Sequence, residues 1–86
     1  MASETFGSGG GISNRGNATL ERSSVSANVA YLGGGIYNSG ALTLRETVVN
    51  GNRALFDGGG IFNDFGMLTL TKSTVSGNTP NDCSGC

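Results

Sequence analysis

The chain has 86 residues, enough for one small domain and too few for a large multi-domain enzyme. Five Lys and Arg stand against six Asp and Glu, a formal charge of −1 with no histidine, so there is no basic field to hold a phosphate backbone, and nucleic acid is not an expected partner. No apolar run approaches the roughly 18 to 20 residues of a spanning helix, and membrane insertion is not expected.

In chain order, Met1 to Gly7 lacks the basic and apolar regions of a secretory signal, and residues 1–8 read as a partial N-terminal coil or tail. From Gly9 onward the glycines fall into a repeat. Gly9-Gly10-Gly11 recurs as Gly33-Gly34-Gly35 and Gly58-Gly59-Gly60, at intervals of 24 and 25 residues, which divides the chain into units 9–32, 33–57 and 58–82 and a cysteine-containing tail, 83–86. Each triplet leads into Ile12, Ile36 or Ile61 and, two residues later, Asn14, Asn38 or Asn63. Ala18-Thr19-Leu20 then matches Leu42-Thr43-Leu44, and matches Leu68-Thr69-Leu70 once the third unit is granted one extra residue near Phe65-Gly66. Val25, Val49 and Val75 follow, each three residues before Asn28, Asn52 or Asn78.

Alternating Leu-Thr-Leu, β-branched Ile and Val, and frequent Gly and Asn leave no window for an amphipathic helix and predict three short strands per unit. One such unit cannot bury its apolar side alone, so the units must stack. Parallel stacking at about 4.8 Å per unit puts the Ile, Leu and Val positions into three interior columns and yields an all-β solenoid, a parallel β-helix of about three coils. Asn14, Asn38 and Asn63, and Asn28, Asn52 and Asn78, then form two ladders whose amides satisfy corner backbone groups and one another. Asn also tolerates a left-handed corner conformation. Glycine triplets suit a turn with φ > 0 or close backbone approach. Arg22, Glu46 and Lys72 alternate in sign and Glu21 lies over Arg45, as in-register stacking requires.

Residues 33 to 44, Gly-Gly-Gly-Ile-Tyr-Asn-Ser-Gly-Ala-Leu-Thr-Leu, closed by Val49-Asn50-Gly51-Asn52, resemble the right-handed parallel β-helix repeats of bacterial surface proteins related to the chlamydial polymorphic outer-membrane proteins. That family carries Gly-Gly-Ala-Ile and Phe-x-x-Asn motifs. Gly35 or Gly60 stands here in place of the Ala, and Val49 or Val75 in place of the Phe, which resembles the wider pectate-lyase-like repeats more closely. The resemblance spans residues 9 to 82. It implies a right-handed coil, an extracellular or cell-surface location, and a piece of a longer protein acting as a structural or adhesive module. The alternative it leaves open is the remnant of a carbohydrate-active lyase- or hydrolase-like β-helix enzyme whose catalytic coils lie elsewhere.

The residues themselves point away from catalysis. A polysaccharide-cleaving site needs converging carboxylates, whereas Asp57 and Asp64 lie seven residues apart, about 20 Å along an extended chain. Gly7-Ser8-Gly9-Gly10-Gly11 precedes no helix and has no phosphate-binding Lys, and only Asp57 adjoins a triplet where a calcium nonapeptide repeat would carry Asp every time. No catalytic residue, cofactor or metal is therefore expected. Cys83 and Cys86 supply two of four zinc ligands with no histidine, and read as a terminal disulfide or two idle thiols. Alternation turns Tyr37 and Phe62 outward, one coil apart and beside Ser13, as a candidate contact for a carbohydrate or a host surface protein, or as a packing surface. With no recognisable capping unit before Ser8, and Thr79 to Cys86 long enough for only part of the other end, end-to-end self-association or docking onto another β-helix is the further expectation.

Overall fold

The structure, a computed structural model, describes residues 9–86; the expected partial coil or tail at 1–8 lies outside the described residues. Within them there is no helix, and short strands follow one another: β1 (Ile12–Asn14), β2 (Asn17–Glu21), β3 (Ser24–Ser26), β4 (Val29–Leu32), β5 (Ile36–Asn38), β6 (Ala41–Arg45), β7 (Val48–Asn50), β8 (Arg53–Asp57), β9 (Ile61–Asn63), β10 (Met67–Thr71), β11 (Thr74–Ser76) and β12 (Cys83–Ser84). Each pairs in parallel with its counterpart one coil away, giving sheets in the order β1-β5-β9-β12, β2-β6-β10, β3-β7-β11 and β4-β8. The chain is a parallel β-solenoid of about three coils.

The columns follow the expected register. Ile12, Ile36 and Ile61 pair in one sheet, Leu20, Leu44 and Leu70 in the next, and Val25, Val49 and Val75 in the third. Val25, Ile36, Leu42, Leu44, Val49 and Ile61 form the buried core. Alternation drives this arrangement, because neighbouring strand residues point to opposite faces and only the inward set meets the coils above and below.

A fourth strand joins the expected three in the first two coils. β4 and β8 pair Val29 with Arg53 and Ala30 with Ala54, then slip so that Leu32 faces Asp57. That bulge accounts for the unequal spacing of the glycine triplets, since β8 is one residue longer than β4. The extra residue of the third unit sits between Asn63 and Met67, where Phe65 takes φ +56°.

The corners differ from expectation in one respect. None of the ladder asparagines is left-handed; Arg22, Glu46 and Lys72 (φ 49°, 50° and 49°) occupy one left-handed column, and Ala27, Gly51 and Gly77 another. The ladder asparagines act through their side chains and keep ordinary backbone angles. In the triplets the first glycine, Gly33, has φ +63°, while a Cβ on the third, Gly35, would lie 2.8 Å from the Gly60 carbonyl oxygen and 3.0 Å from Asn52 Nδ2. One triplet thus uses both a left-handed turn and close backbone approach.

Candidate functional site

Asparagine side chains link the coils. Asn14 Nδ2 donates to Asn38 Oδ1 and Asn38 Nδ2 to Asn63 Oδ1, each at 2.9 Å. In the second ladder, Asn28 Nδ2 donates to Asn52 Oδ1 and Asn52 Nδ2 to Asn78 Oδ1, again at 2.9 Å. All six residues are buried. A column of hydroxyls that the sequence reading missed does similar work: Ser23 N–H donates to Thr47 Oγ1 (3.4 Å), Thr47 N–H donates to Ser73 Oγ (3.0 Å), and Thr47, fully buried, donates its hydroxyl to the Arg45 carbonyl (2.9 Å). Its signal was available, because each hydroxyl follows directly after Arg22, Glu46 or Lys72.

Outside the core, Tyr37 and Phe62 occupy equivalent positions in β5 and β9, with Ser13 below them. Their rings stack with centroids 5.7 Å apart and planes 6° from parallel. The Tyr37 hydroxyl donates to Asp64 Oδ2 at 2.6 Å. That bond is the largest cause of a Tyr37 pKa raised above its ordinary 10.0; burial and the Asp64 charge add to it, and Arg15 partly opposes. Beyond Asp64, Phe65 projects fully into solvent. Phe62, Asp64, Phe65 and Ser84 border an open cleft of about 360 Å³.

A second aromatic stack went unrecognised in the sequence. Tyr31 and Phe56 lie on the β4-β8 sheet with centroids 5.4 Å apart and planes 9° from parallel, both exposed, and Leu55 beside them is exposed as well. Tyr31 and Phe56 each precede their Tyr37 or Phe62 counterpart by six residues. The slip between β4 and β8 masked the pairing, because a strict register would set Tyr31 against Leu55.

The acidic residues have separate partners. Asp57 Oδ2 accepts from Ser84 Oγ (2.8 Å), and Asp57 Oδ1 accepts from the Gly58 N–H (2.9 Å) and Asn81 Nδ2 (3.1 Å). The Ser84 bond is the largest cause of a lowered Asp57 pKa; burial opposes it, and Gly58 and Asn81 add to it. Asp64 is engaged by Tyr37 instead. Glu21 pairs with Arg45 at 3.5 Å and Glu46 with Arg22 at 3.7 Å on the exposed surface, the sign alternation expected from stacking. Such exposed pairs contribute on the order of a few tenths of a kcal/mol each. Cys83 and Cys86 form a disulfide with Cα atoms 6.0 Å apart. Among the described residues no group of three or more His, Cys, Asp or Glu is placed to hold a metal.

Fold and surface together define a β-solenoid module with asparagine ladders inside and aromatic stacks outside. Comparison with protein-family models, curated proteins and solved structures finds no match.

Proposed function

We propose that this chain is a non-enzymatic structural or adhesive β-helix module of a bacterial surface or secreted protein, similar to the pectate-lyase-like and polymorphic outer-membrane protein repeats, and that its aromatic stacks contact a carbohydrate or a surface protein. The observation that carries the reading is the outward pairing of Tyr37 with Phe62 and of Tyr31 with Phe56. Flat aromatic faces give large contact area with few rotatable bonds, and the Tyr37 hydroxyl and Asp64 add directional polar groups beside one of them. The ladder asparagines and Thr47 are buried and bonded within the stack, which supports a scaffold role for the interior.

The test is binding to immobilised polysaccharides and surface proteins by the wild-type chain and by Tyr37→Ala, Phe62→Ala and Tyr31→Ala. Retention of the wild type, weakened about tenfold in the stack variants with circular dichroism unchanged, is expected from loss of an aromatic contact of 1 to 2 kcal/mol. Equal retention of all variants, or no retention of the wild type, overturns the reading.

A further inference from the structure

Strand β9 holds its outward ring between two unlike neighbours. In the sheet order β1-β5-β9-β12 the outward column reads Ser13, Tyr37, Phe62 and Ser84, so Phe62 has the Tyr37 ring on one side and a serine on the other. The aromatic stack stops at Phe62 although the sheet continues into β12. The cleft of about 360 Å³ opens on that side, since Phe62 and Ser84 border it and Tyr37 does not. Its size falls at the lower end of the roughly 300 to 1,000 Å³ of small-molecule sites.

The residue inserted in the third coil forms another wall. Two residues separate Asn38 from Ala41, whereas three separate their partners Asn63 and Met67, and the longer link sets Phe65 at φ +56° with its side chain fully in solvent. A left-handed backbone is costly for a bulky side chain, and no burial of Phe65 offsets it. The ring stands at the rim of the cleft, next to Asp64, whose carboxylate accepts the Tyr37 hydroxyl at 2.6 Å.

The polar groups of the cleft share one character. Ser84 gives its hydroxyl hydrogen to Asp57 (2.8 Å), and Asn63 gives its amide hydrogens to the Gly66 and Gly85 carbonyls (3.1 Å each), so these side-chain donors are committed within the protein. What remains is acceptor capacity, on the Asp64 carboxylate, the Ser84 oxygen and the two carbonyls. No cationic residue among those described borders the cleft; Arg15, which follows its ladder asparagine as Asp64 does, lies two coils away. A ligand that fits must donate hydrogen bonds, carry no negative charge and present a flat apolar face to Phe62.

We propose that this cleft is a subsite for one ring of a neutral saccharide, stacked on Phe62 where the aromatic column stops, flanked by Phe65 and donating hydroxyl hydrogens to Asp64. The inference rests on the reading of the Tyr37–Phe62 stack as a contact surface and narrows it to one ligand class. A pyranose offers a face of C–H bonds, attracted to the negative face of an aromatic ring, and a rim of hydroxyl donors. A Phe, Tyr or Trp of a protein partner would supply the flat face with one donor at most. A uronate would bring its carboxylate against that of Asp64.

Titration of the isotope-labelled chain with cellohexaose, mannohexaose and a galacturonate hexamer, followed by amide chemical shifts, tests this. At least one neutral oligosaccharide should bind and move the amides of residues 62–66 and 84–85, with galacturonate about tenfold weaker or not bound. Phe65→Ala, a change at a fully exposed side chain, should weaken the neutral ligand about tenfold. Asp64→Asn should weaken it about fivefold and also narrow its margin over galacturonate, which a purely structural role of Asp64 would not do. Should Asp64→Asn lose its β-sheet circular dichroism, the shift map and Phe65→Ala decide. Failure of both neutral sugars to bind, shifts confined to other faces, a preference for galacturonate, or an unchanged affinity in Phe65→Ala would each overturn the inference. If immobilised surface proteins or other polysaccharides are still retained through the stacks, the broader reading survives and only the saccharide subsite is lost; no retention of any kind removes both.

Discussion

Ile61 and Leu70 lie in the same coil and in equivalent interior columns, yet Ile61 is wholly buried and Leu70 is 47% exposed. The difference arises from what lies above them. β12 covers β9 and brings Cys83 onto Ile61, whereas β10 ends its sheet and leaves Leu70 with only Leu44 beneath it. Within the third coil, the burial of an inward side chain thus follows what stacks on its strand. The middle coil shows the limit, with Ile36, Leu42, Leu44 and Val49 each at most 1% exposed between two neighbours.

Truncating the two columns should break this pair apart most strongly. Ile61→Ala is expected to lower stability by about 2 to 5 kcal/mol, as for a buried large-to-small change, and Leu70→Ala by about half of that or less. Urea denaturation reads both. Equal losses would mean that β12 does not cover its side of the coil in solution.

The ladders offer a sharper contrast at smaller amplitude. Asn52 is buried and bonded to Asn28, Asn78 and the Val25 carbonyl, while Asn50, two residues earlier, points to solvent. Asn52→Leu should destabilise more than Asn50→Leu by about 1 to 3 kcal/mol, since it strands buried donors and acceptors that the neighbouring coils hold in place. Matching denaturation midpoints for the two variants would contradict the ladder.

The smallest expected effect is the acid response of the covered side. Asp57 has a pKa below its ordinary 3.8 in the folded chain, so its ionised form contributes stability that is present above that value and is lost as pH falls through the lower folded value. Asp57→Asn should flatten the acid limb of a stability–pH curve and leave the exposed Leu70 side unaffected. Opposite in sign, Tyr37 has a raised pKa, so its contribution is complete below pH 10.0 and is lost as pH rises past the folded value. A Tyr37→Phe variant that keeps the wild type's alkaline limb would separate the ring stack from the Asp64 bond.

Much of the fold was legible before any coordinates because the repeat states its own register. Once Ile12, Ile36 and Ile61 are aligned, the Leu and Val columns, both ladders and the Arg22–Glu46 and Glu21–Arg45 pairs follow from stacking alone. The outward pair Tyr37 and Phe62 was legible for the same reason, as neighbours of inward isoleucines in an alternating strand. Tyr31 and Phe56 were not, because the residue added in β8 shifts their pairing and alternation cannot be carried through a bulge.

Sequence alone therefore determined the class of fold, its coil length and the identity of its interior columns, since periodic side chains can be buried in only one register. Tertiary structure decided the fourth sheet, the left-handed corners at Arg22, Glu46 and Lys72, the exposure of Phe65, and the bonding of Asn78 to Asp82 and of Asn63 to Gly85. Those conformations are set by contacts between coils and by irregularities of register and insertion, which the local pattern of residues does not carry.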